Sequence, residues 1–261
     1  MRTFILQIAV VLLKLVFGIG CIVIAKRSAE PLAERRAGWL FTGFCFTLTG
    51  VHGALQSALG GWAMLAGAGS APMRAYLRVQ PVANHGRGFA MVGFASLLCV
   101  LLARGKLARA GDAKFATAWL GSWMVAGSAW GMIDGGAPAS QHYGVITYTS
   151  ALTVLVMLVA LYLAVVRDSL DHLLWLALAT YTVREVVDVS ITTAFSFIRT
   201  PDAWVPSFSL LQVMGVLSYV IMLGLVGRRF SLMSHGSDAP SLSGLLGGGG
   251  RGPVAAREPR L

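Results

Sequence analysis

The residues best suited to chemistry lie within one apolar stretch, between positions 181 and 192. Five polar side chains recur there at spacings of three and four residues: Tyr181, Arg184, Glu185, Asp188 and Thr192. Residues at these spacings share one face of a helix, and the valines between them point in other directions. An ionisable group inside an apolar span costs roughly 2.5–3.5 kcal/mol on insertion scales. The polar stripe is therefore predicted to face other helices and not lipid.

This stripe allows two interpretations. The spacing predicts an ion pair between Arg184 and Asp188, four residues apart. Glu185 then needs a partner from another helix, a proton or a ligand. Under one interpretation the three charges form a functional site. Under the other they form a buried ion pair that fixes helix packing without doing chemistry.

A second polar stripe precedes it in the chain. Its members, again at spacings of three and four, are Thr42, Cys45, Thr49, His52 and Gln56. Hydroxyls and thiols at such positions commonly bond to the backbone of their own helix or to a neighbouring helix, so the first three are predicted to be packing residues. His52 and Gln56 are the candidates for binding.

Further polar groups are predicted at the same end of other helices. In the segment 84–88, two glycines allow close backbone approach, while His85 and Arg87 offer donors to an anionic or hydrogen-bonding group. The predicted ligand-binding set consists of His52, Gln56, Asn84, His85, Arg87, His142, Tyr143, Tyr181, Arg184, Glu185 and Asp188.

The same residues do not form a recognisable metal motif. His52, His85 and His142, with Glu185 or Asp188, are residue types that bind zinc, but they lie on separate helices without HxxxH or HExxH spacing. The three cysteines lie inside apolar runs without a CxxC pair and are expected to be buried thiols. We expect neither a metal nor a cofactor.

The elements that carry these residues are apolar helices. The chain has 261 residues, of which 56% are hydrophobic and 12% charged. Spanning a bilayer takes about 20 mostly apolar residues, and seven such runs are present: 3–25, 38–60, 83–103, 116–133, 144–166, 171–197 and 205–227. The sequence predicts an all-α, seven-helix transmembrane domain over 1–233 and a flexible cytoplasmic tail over 234–261. The segment 60–81, rich in Gly and Ala, is predicted to be an external loop in preference to an interfacial segment or a short re-entrant piece.

The distribution of basic residues predicts the orientation. They concentrate after the first, third, fifth and seventh runs, which places the N-terminus outside and the C-terminus in the cytoplasm. We expect an integral protein of a bacterial-type cytoplasmic (inner) membrane. The net charge of +10 is ascribed to topology and to contacts with anionic lipid, and not to nucleic acid.

Orientation and polarity together predict a pocket. The candidate residues gather toward the extracytoplasmic side, whereas the cytoplasmic halves of three runs, 96–102, 154–161 and 173–178, are apolar. Such a bundle forms a cup that is open to the outside. Lys14, within the first run, is predicted either to be a buried counter-charge for Glu185 or to face a partner subunit. Gly127 and Gly131 predict close packing of the fourth helix against another.

Seven helices with an outward N-terminus resemble, in plan only, rhodopsin-type receptors and the input regions of some bacterial sensor kinases. The seventh run contains no lysine, so a retinal pigment is not expected. The favoured function is a small-ligand-binding, sensory module or an accessory subunit that acts through a partner protein. Two alternatives stay open: a proton- or ion-coupled transporter that uses Arg184, Glu185 and Asp188, and a metal-dependent membrane hydrolase.

Overall fold

The chain is all-helical in a computed structural model. The structure describes residues 2–28, 33–133, 139–197 and 201–235, and the side chains of 4–28, 33–133, 147–194 and 209–235. Seven α-helices lie in these ranges: α1 (Arg2–Arg27), α2 (Ala33–Ala66), α3 (Ala71–Ala103), α4 (Ala113–Ile133), α5 (Ala139–Arg167), α6 (His172–Phe197) and α7 (Pro201–Ser234). A short 3₁₀ turn, Leu107–Gly111, precedes α4. Apart from position 171, each predicted run lies within one helix, and the predicted tail falls almost wholly outside the described residues.

Four of these helices contain segments that are long and apolar enough to cross a membrane: Phe4–Arg27, Ala71–Ala103, Thr147–Arg167 and Ser209–Ser234. Large apolar side chains on α1, α5 and α7, such as Leu12, Leu155 and Leu217, are exposed on the outside of the bundle. Exposed apolar surface of this extent marks a contact with another apolar phase. The four helices therefore suggest a membrane protein.

Six helices form a closed ring in the order α1, α2, α3, α5, α6 and α7, and α7 packs back on α1. The fourth helix, α4, lies outside this ring, mainly against α3. The ring closes between α3 and α5 at Gly88, where an added Cβ atom would lie 2.7 Å from Thr149 Oγ1. Close contacts such as Gly61 to Phe4 and Gly43 to Ile22 show that α1 and α2 run antiparallel. We refer to the N-terminal end, where α1 begins, and the C-terminal end, where α7 finishes.

The predicted loop over 60–81 is wrong. Helix α2 continues to Ala66 and α3 starts at Ala71, so the connection is only four residues long. Gly67 and Gly69 adopt positive φ angles of 86° and 77°, which glycine tolerates at no steric cost. Ser70 then caps α3, since its hydroxyl accepts a hydrogen bond from the Met73 N–H at 3.2 Å. The alanines that suggested a loop are the best helix formers.

Glycines bring α3 and α4 into close contact. An added Cβ atom at Gly127 would lie 2.6 Å from the His85 carbonyl oxygen, and one at Gly131 would lie 2.6 Å from Val82 Cα. On α3, Gly93 packs in the same way against the Trp123 ring. The small-residue surface predicted on the fourth helix is confirmed, and its partner is α3.

A buried ion pair joins α6 and α7 at the C-terminal end. Arg229 Nε lies 2.8 Å from Asp171 Oδ2, and both side chains are buried. Asp171 also accepts a hydrogen bond from the Leu173 N–H at 2.9 Å, which caps α6. Nearby, the buried Arg35 lies 3.5 Å from Asp168. Contacts with anionic lipid were expected of the basic residues at this end, but these two arginines serve packing inside the protein.

The α3–α4 contact predicts a difference between two glycines of the same helix. Gly127→Ala places a methyl group against backbone and should destabilise the protein by about 1–3 kcal/mol, the usual cost of overpacking. Gly121→Ala is the matched control, because nothing lies within 4 Å of its added Cβ atom and alanine favours a helix. Thermal unfolding in detergent should give a lower Tm for Gly127→Ala and an equal or higher Tm for Gly121→Ala. Equal Tm values for the two variants would contradict this packing.

Candidate functional site

A cavity of about 90 Å³ lies inside the ring, roughly midway between its ends. All six ring helices contribute side chains to its lining, and α4 contributes none. Five lining residues carry charge: Lys14 on α1, Arg87 on α3, and Arg184, Glu185 and Asp188 on α6. The cavity is therefore polar, although apolar helices surround it.

Arg184 pairs with both carboxylates of α6. Its Nη1 lies 2.9 Å from Glu185 Oε1, and its Nη2 lies 3.8 Å from Asp188 Oδ2. The sequence predicts Asp188 as the partner of Arg184, but the adjacent Glu185 is the closer partner. Adjacent helical residues do not face each other, but the long Arg184 side chain bends back to reach Glu185. Glu185 needs no partner from another helix.

The orientation of α6 matches the predicted stripe. Tyr181 and Glu185 are buried, whereas Val183 is 62% exposed on the outer face. Thr192, further along the stripe, has its Oγ1 3.3 Å from Thr147 Oγ1 of α5. The charged face of α6 points into the ring, as the sequence predicts.

Lys14 and Arg87 differ from Arg184 in having no carboxylate partner among the described side chains. Lys14 is only 8% exposed, so it is buried toward the bundle, one of the two arrangements predicted for it. Its Nζ lies 5.5 Å from the centre of the Phe46 ring, in a cation–π contact. Within the part of the chain that the structure describes, neither Lys14 nor Arg87 lies within 4 Å of a carboxylate oxygen. The predicted pairing of Lys14 with Glu185 is not formed.

Two threonine hydroxyls that line the cavity are already engaged. Thr153 Oγ1 donates to the Thr149 carbonyl at 2.8 Å, and Thr49 Oγ1 donates to the Cys45 carbonyl at the same distance. Tyr219 differs from them: it is 1% exposed, and its hydroxyl has no hydrogen-bond partner among the described residues. A buried hydroxyl without a partner is costly. Tyr219 is the kind of group that a ligand would satisfy.

Aromatic rings close the cavity toward the C-terminal end. Phe46 lies at their centre, with ring centroids 5.0 Å from Phe17, 5.1 Å from Tyr181 and 6.1 Å from Phe94. We call Phe17, Phe46 and Phe94 the aromatic floor. All three are completely buried. Beyond the floor, the buried side chains of 96–102, 154–161 and 173–178 are all apolar, as the sequence predicts.

Six of the predicted ligand-binding residues line the cavity: Asn84, Arg87, Tyr181, Arg184, Glu185 and Asp188. Gln56 stands behind them and orients Asn84, because its Nε2 donates to Asn84 Oδ1 at 2.9 Å. His142 and Tyr143 belong to α5 but lie outside the described side chains, so their role stays a prediction.

The other two histidines are not in the lining. His85 is buried on another side of α3, where its Nδ1 lies 2.7 Å from the Pro81 carbonyl oxygen. His52 is half-buried and lies within electrostatic range of Arg87 and Lys14 without lining the cavity. Among the side chains the structure describes, no three His, Cys, Asp or Glu groups are placed to hold a metal ion. The structure therefore does not place His52 or His85 in the lining of the cavity, and their role in binding stays a prediction.

Sequence reasoning missed Tyr219 and treated Thr49 as a packing residue. Tyr219 lies in an apolar run without another titratable group, so no stripe of polar residues marks it. Its signal is weaker: it is the one tyrosine between 205 and 227, and a tyrosine deep in a span must satisfy its hydroxyl.

Comparisons with known proteins give no relative. No family model matches the chain, no curated protein is significantly similar to it, and no solved structure matches its fold.

The α6 ion cluster predicts unequal effects of its members on stability. Arg184→Gln leaves two carboxylates without their cation and should lower stability by about 3–5 kcal/mol, the usual cost of breaking a buried pair. Glu185→Gln leaves Arg184 with Asp188 and should cost less. The double variant Arg184→Gln/Glu185→Gln should cost less than the sum of the two, as measured by thermal unfolding of all three. Strictly additive losses would show that the pair does not interact.

Proposed function

We propose that this chain is a seven-helix integral membrane protein that binds a small ligand in the cavity inside the ring. We infer a sensory, receptor-like module or an accessory subunit that passes the bound state to a partner protein. The convergence of five charged side chains from three helices on one cavity carries the proposal. Buried charges are expensive, and inside apolar spans they mark functional sites by default.

The size of the cavity limits the ligand. Drug-sized ligands occupy pockets of about 300–1,000 Å³, and a dry cavity of about 150 Å³ binds benzene. At about 90 Å³, the cavity suits an ion or a molecule of a few heavy atoms.

The basic residues support an orientation with the C-terminus in the cytoplasm. At the C-terminal end, Lys26, Arg36, Arg104, Lys106 and Arg109 are exposed. At the N-terminal end, Arg74 and Arg78 are the exposed basic side chains of the described part. By the positive-inside rule the richer end is cytoplasmic. This end would lie on the cytoplasmic face of a bacterial-type inner membrane and offer a basic surface to a partner or to anionic lipid.

The aromatic floor favours binding over transport. A proton relay through Arg184, Glu185 and Asp188 needs a polar route to the C-terminal end. Phe17, Phe46 and Phe94 lie across that route, and the buried side chains below them are mainly apolar. A closed floor suits a protein that holds its ligand.

The orientation predicts the behaviour of two C-terminal fusions. A green fluorescent protein fused after residue 261 should fluoresce in bacterial cells, because it folds in the cytoplasm. Alkaline phosphatase fused at the same point should be inactive, since it needs the oxidising periplasm. The reverse pattern would overturn the proposed orientation.

Ligand binding in the cavity predicts a stabilising molecule whose effect disappears when the cavity is filled. The purified protein is screened by thermal shift against small anions, amines and amides, and a bound ligand should raise the Tm. Ser150→Met should fill the cavity and abolish the shift, because Ser150 lies in its lining. Leu152→Met, on the exposed face of the same helix, is the matched control and should keep it. A shift that Ser150→Met leaves intact, or proton flux in proteoliposomes that Glu185→Gln abolishes, would contradict the proposal.

A further inference from the structure

The charges that line the cavity do not balance. In their ordinary charge states, Lys14, Arg87 and Arg184 contribute three positive charges, and Glu185 and Asp188 contribute two negative ones. Arg184 engages both carboxylates. One net positive charge is therefore left over, carried by Lys14 and Arg87. A buried charge without a partner is strongly destabilising.

Four side chains of the lining, Lys14, Arg87, Asn84 and Tyr219, offer hydrogen-bond donors that have no acceptor among the described residues. Lys14 and Arg87 carry only donors. Asn84 Oδ1 already accepts a bond from Gln56, which leaves the Asn84 amide group as a donor. The Tyr219 hydroxyl, buried and without a partner in the described structure, adds one more. Thr49 and Thr153 donate their hydroxyl protons to backbone carbonyls and so offer no donor to a ligand.

A ligand that fits must therefore accept hydrogen bonds and carry negative charge. Glu185 and Asp188 face Arg184, and within the described residues neither carboxylate lies within 4 Å of Lys14 or Arg87. A cation or an amine would add positive charge to a cavity that already carries an excess of it. A neutral amide would satisfy the donors but would leave the excess charge.

We propose that the cavity binds one small monovalent anion, held by Lys14, Arg87, Asn84 and Tyr219. The inference rests on the proposed function and names its ligand class. A volume of about 90 Å³ accepts chloride, nitrate or formate and excludes larger carboxylates. Bound there, the anion restores electroneutrality and gives the Tyr219 hydroxyl an acceptor.

The test measures anion binding to the purified full-length protein in neutral detergent. The protein is exchanged into sodium gluconate, whose anion is too large for the cavity. Chloride, nitrate or formate then replaces gluconate at constant ionic strength while the Tm is recorded. We expect a saturable rise in Tm with at least one small anion. An equal response to every sodium salt, gluconate included, would overturn the proposal, because it reflects screening only.

Variants separate binding from a structural role. Tyr219→Phe removes only the unpartnered hydroxyl, so the protein should fold normally and bind the anion about tenfold more weakly, as expected when one hydrogen bond to a charged group is lost. Tyr162→Phe, on an exposed tyrosine of α5, is its control. Arg87→Gln should weaken binding further, whereas Arg78→Gln on the exposed surface of the same helix should not. Undiminished anion affinity in Tyr219→Phe and Arg87→Gln would overturn the proposal.

Two probes distinguish failure of this inference from failure of the proposed function. Formamide and methylammonium match small anions in size but are neutral and positive. Suppose that either probe stabilises the protein, that Ser150→Met abolishes this effect, and that no anion has an effect. This result would refute anion binding but would still support a ligand-binding cavity. No response to any probe would refute both, since the cavity would then hold only water.

Discussion

Charge buried among apolar helices is the constraint on which the rest of the structure depends. Lys14, Arg87, Arg184, Glu185 and Asp188 meet inside the ring, where water is scarce and an unpaired ion costs several kcal/mol. The rotation of α6 is a consequence of this constraint, because its charged face must point inward while its valines face outward. The approach of α1 and α3 is another, since each brings one cation to the same cavity. The ring is thus organised around its polar centre as much as around its apolar core.

The architecture keeps that centre small and closed on one side. The fourth helix, α4, lies outside the ring and is held against α3 by glycine contacts. This position lets α3 and α5 meet directly, so that only six helices line the cavity. The aromatic floor then separates the cavity from the C-terminal end. At that end the Asp171–Arg229 pair ties α6 to α7. Under the proposed function, the ligand sits in this polar cavity above the aromatic floor, and a change in its occupancy would reach all six helices at once.

Sequence patterns predicted the features that helical periodicity determines and missed those that depend on side-chain reach or on distant packing. The spacing of polar residues in 181–192 identified the buried face of α6, since helical geometry alone fixes it. The shorter distance from Arg184 to Glu185 than to Asp188 could not be predicted, because it depends on the conformation of the flexible Arg184 side chain. Tyr219 was missed because its importance comes from other helices. The loop predicted over 60–81 failed because Gly and Ala were taken together as loop formers, although only the glycines break the helix.

The direct contact of α3 with α5 is the feature on which the convergence of charge depends, and disulfide cross-linking measures it. In a variant without the native cysteines, Gly88→Cys and Thr149→Cys should form a disulfide on mild oxidation in membranes, since the two positions are within bonding reach. Linked peptides are detected by mass spectrometry. Gly121→Cys with Thr149→Cys should not link, because Gly121 faces open space on α4. A link between α4 and α5, with none between α3 and α5, would contradict the six-helix ring and the cavity inside it.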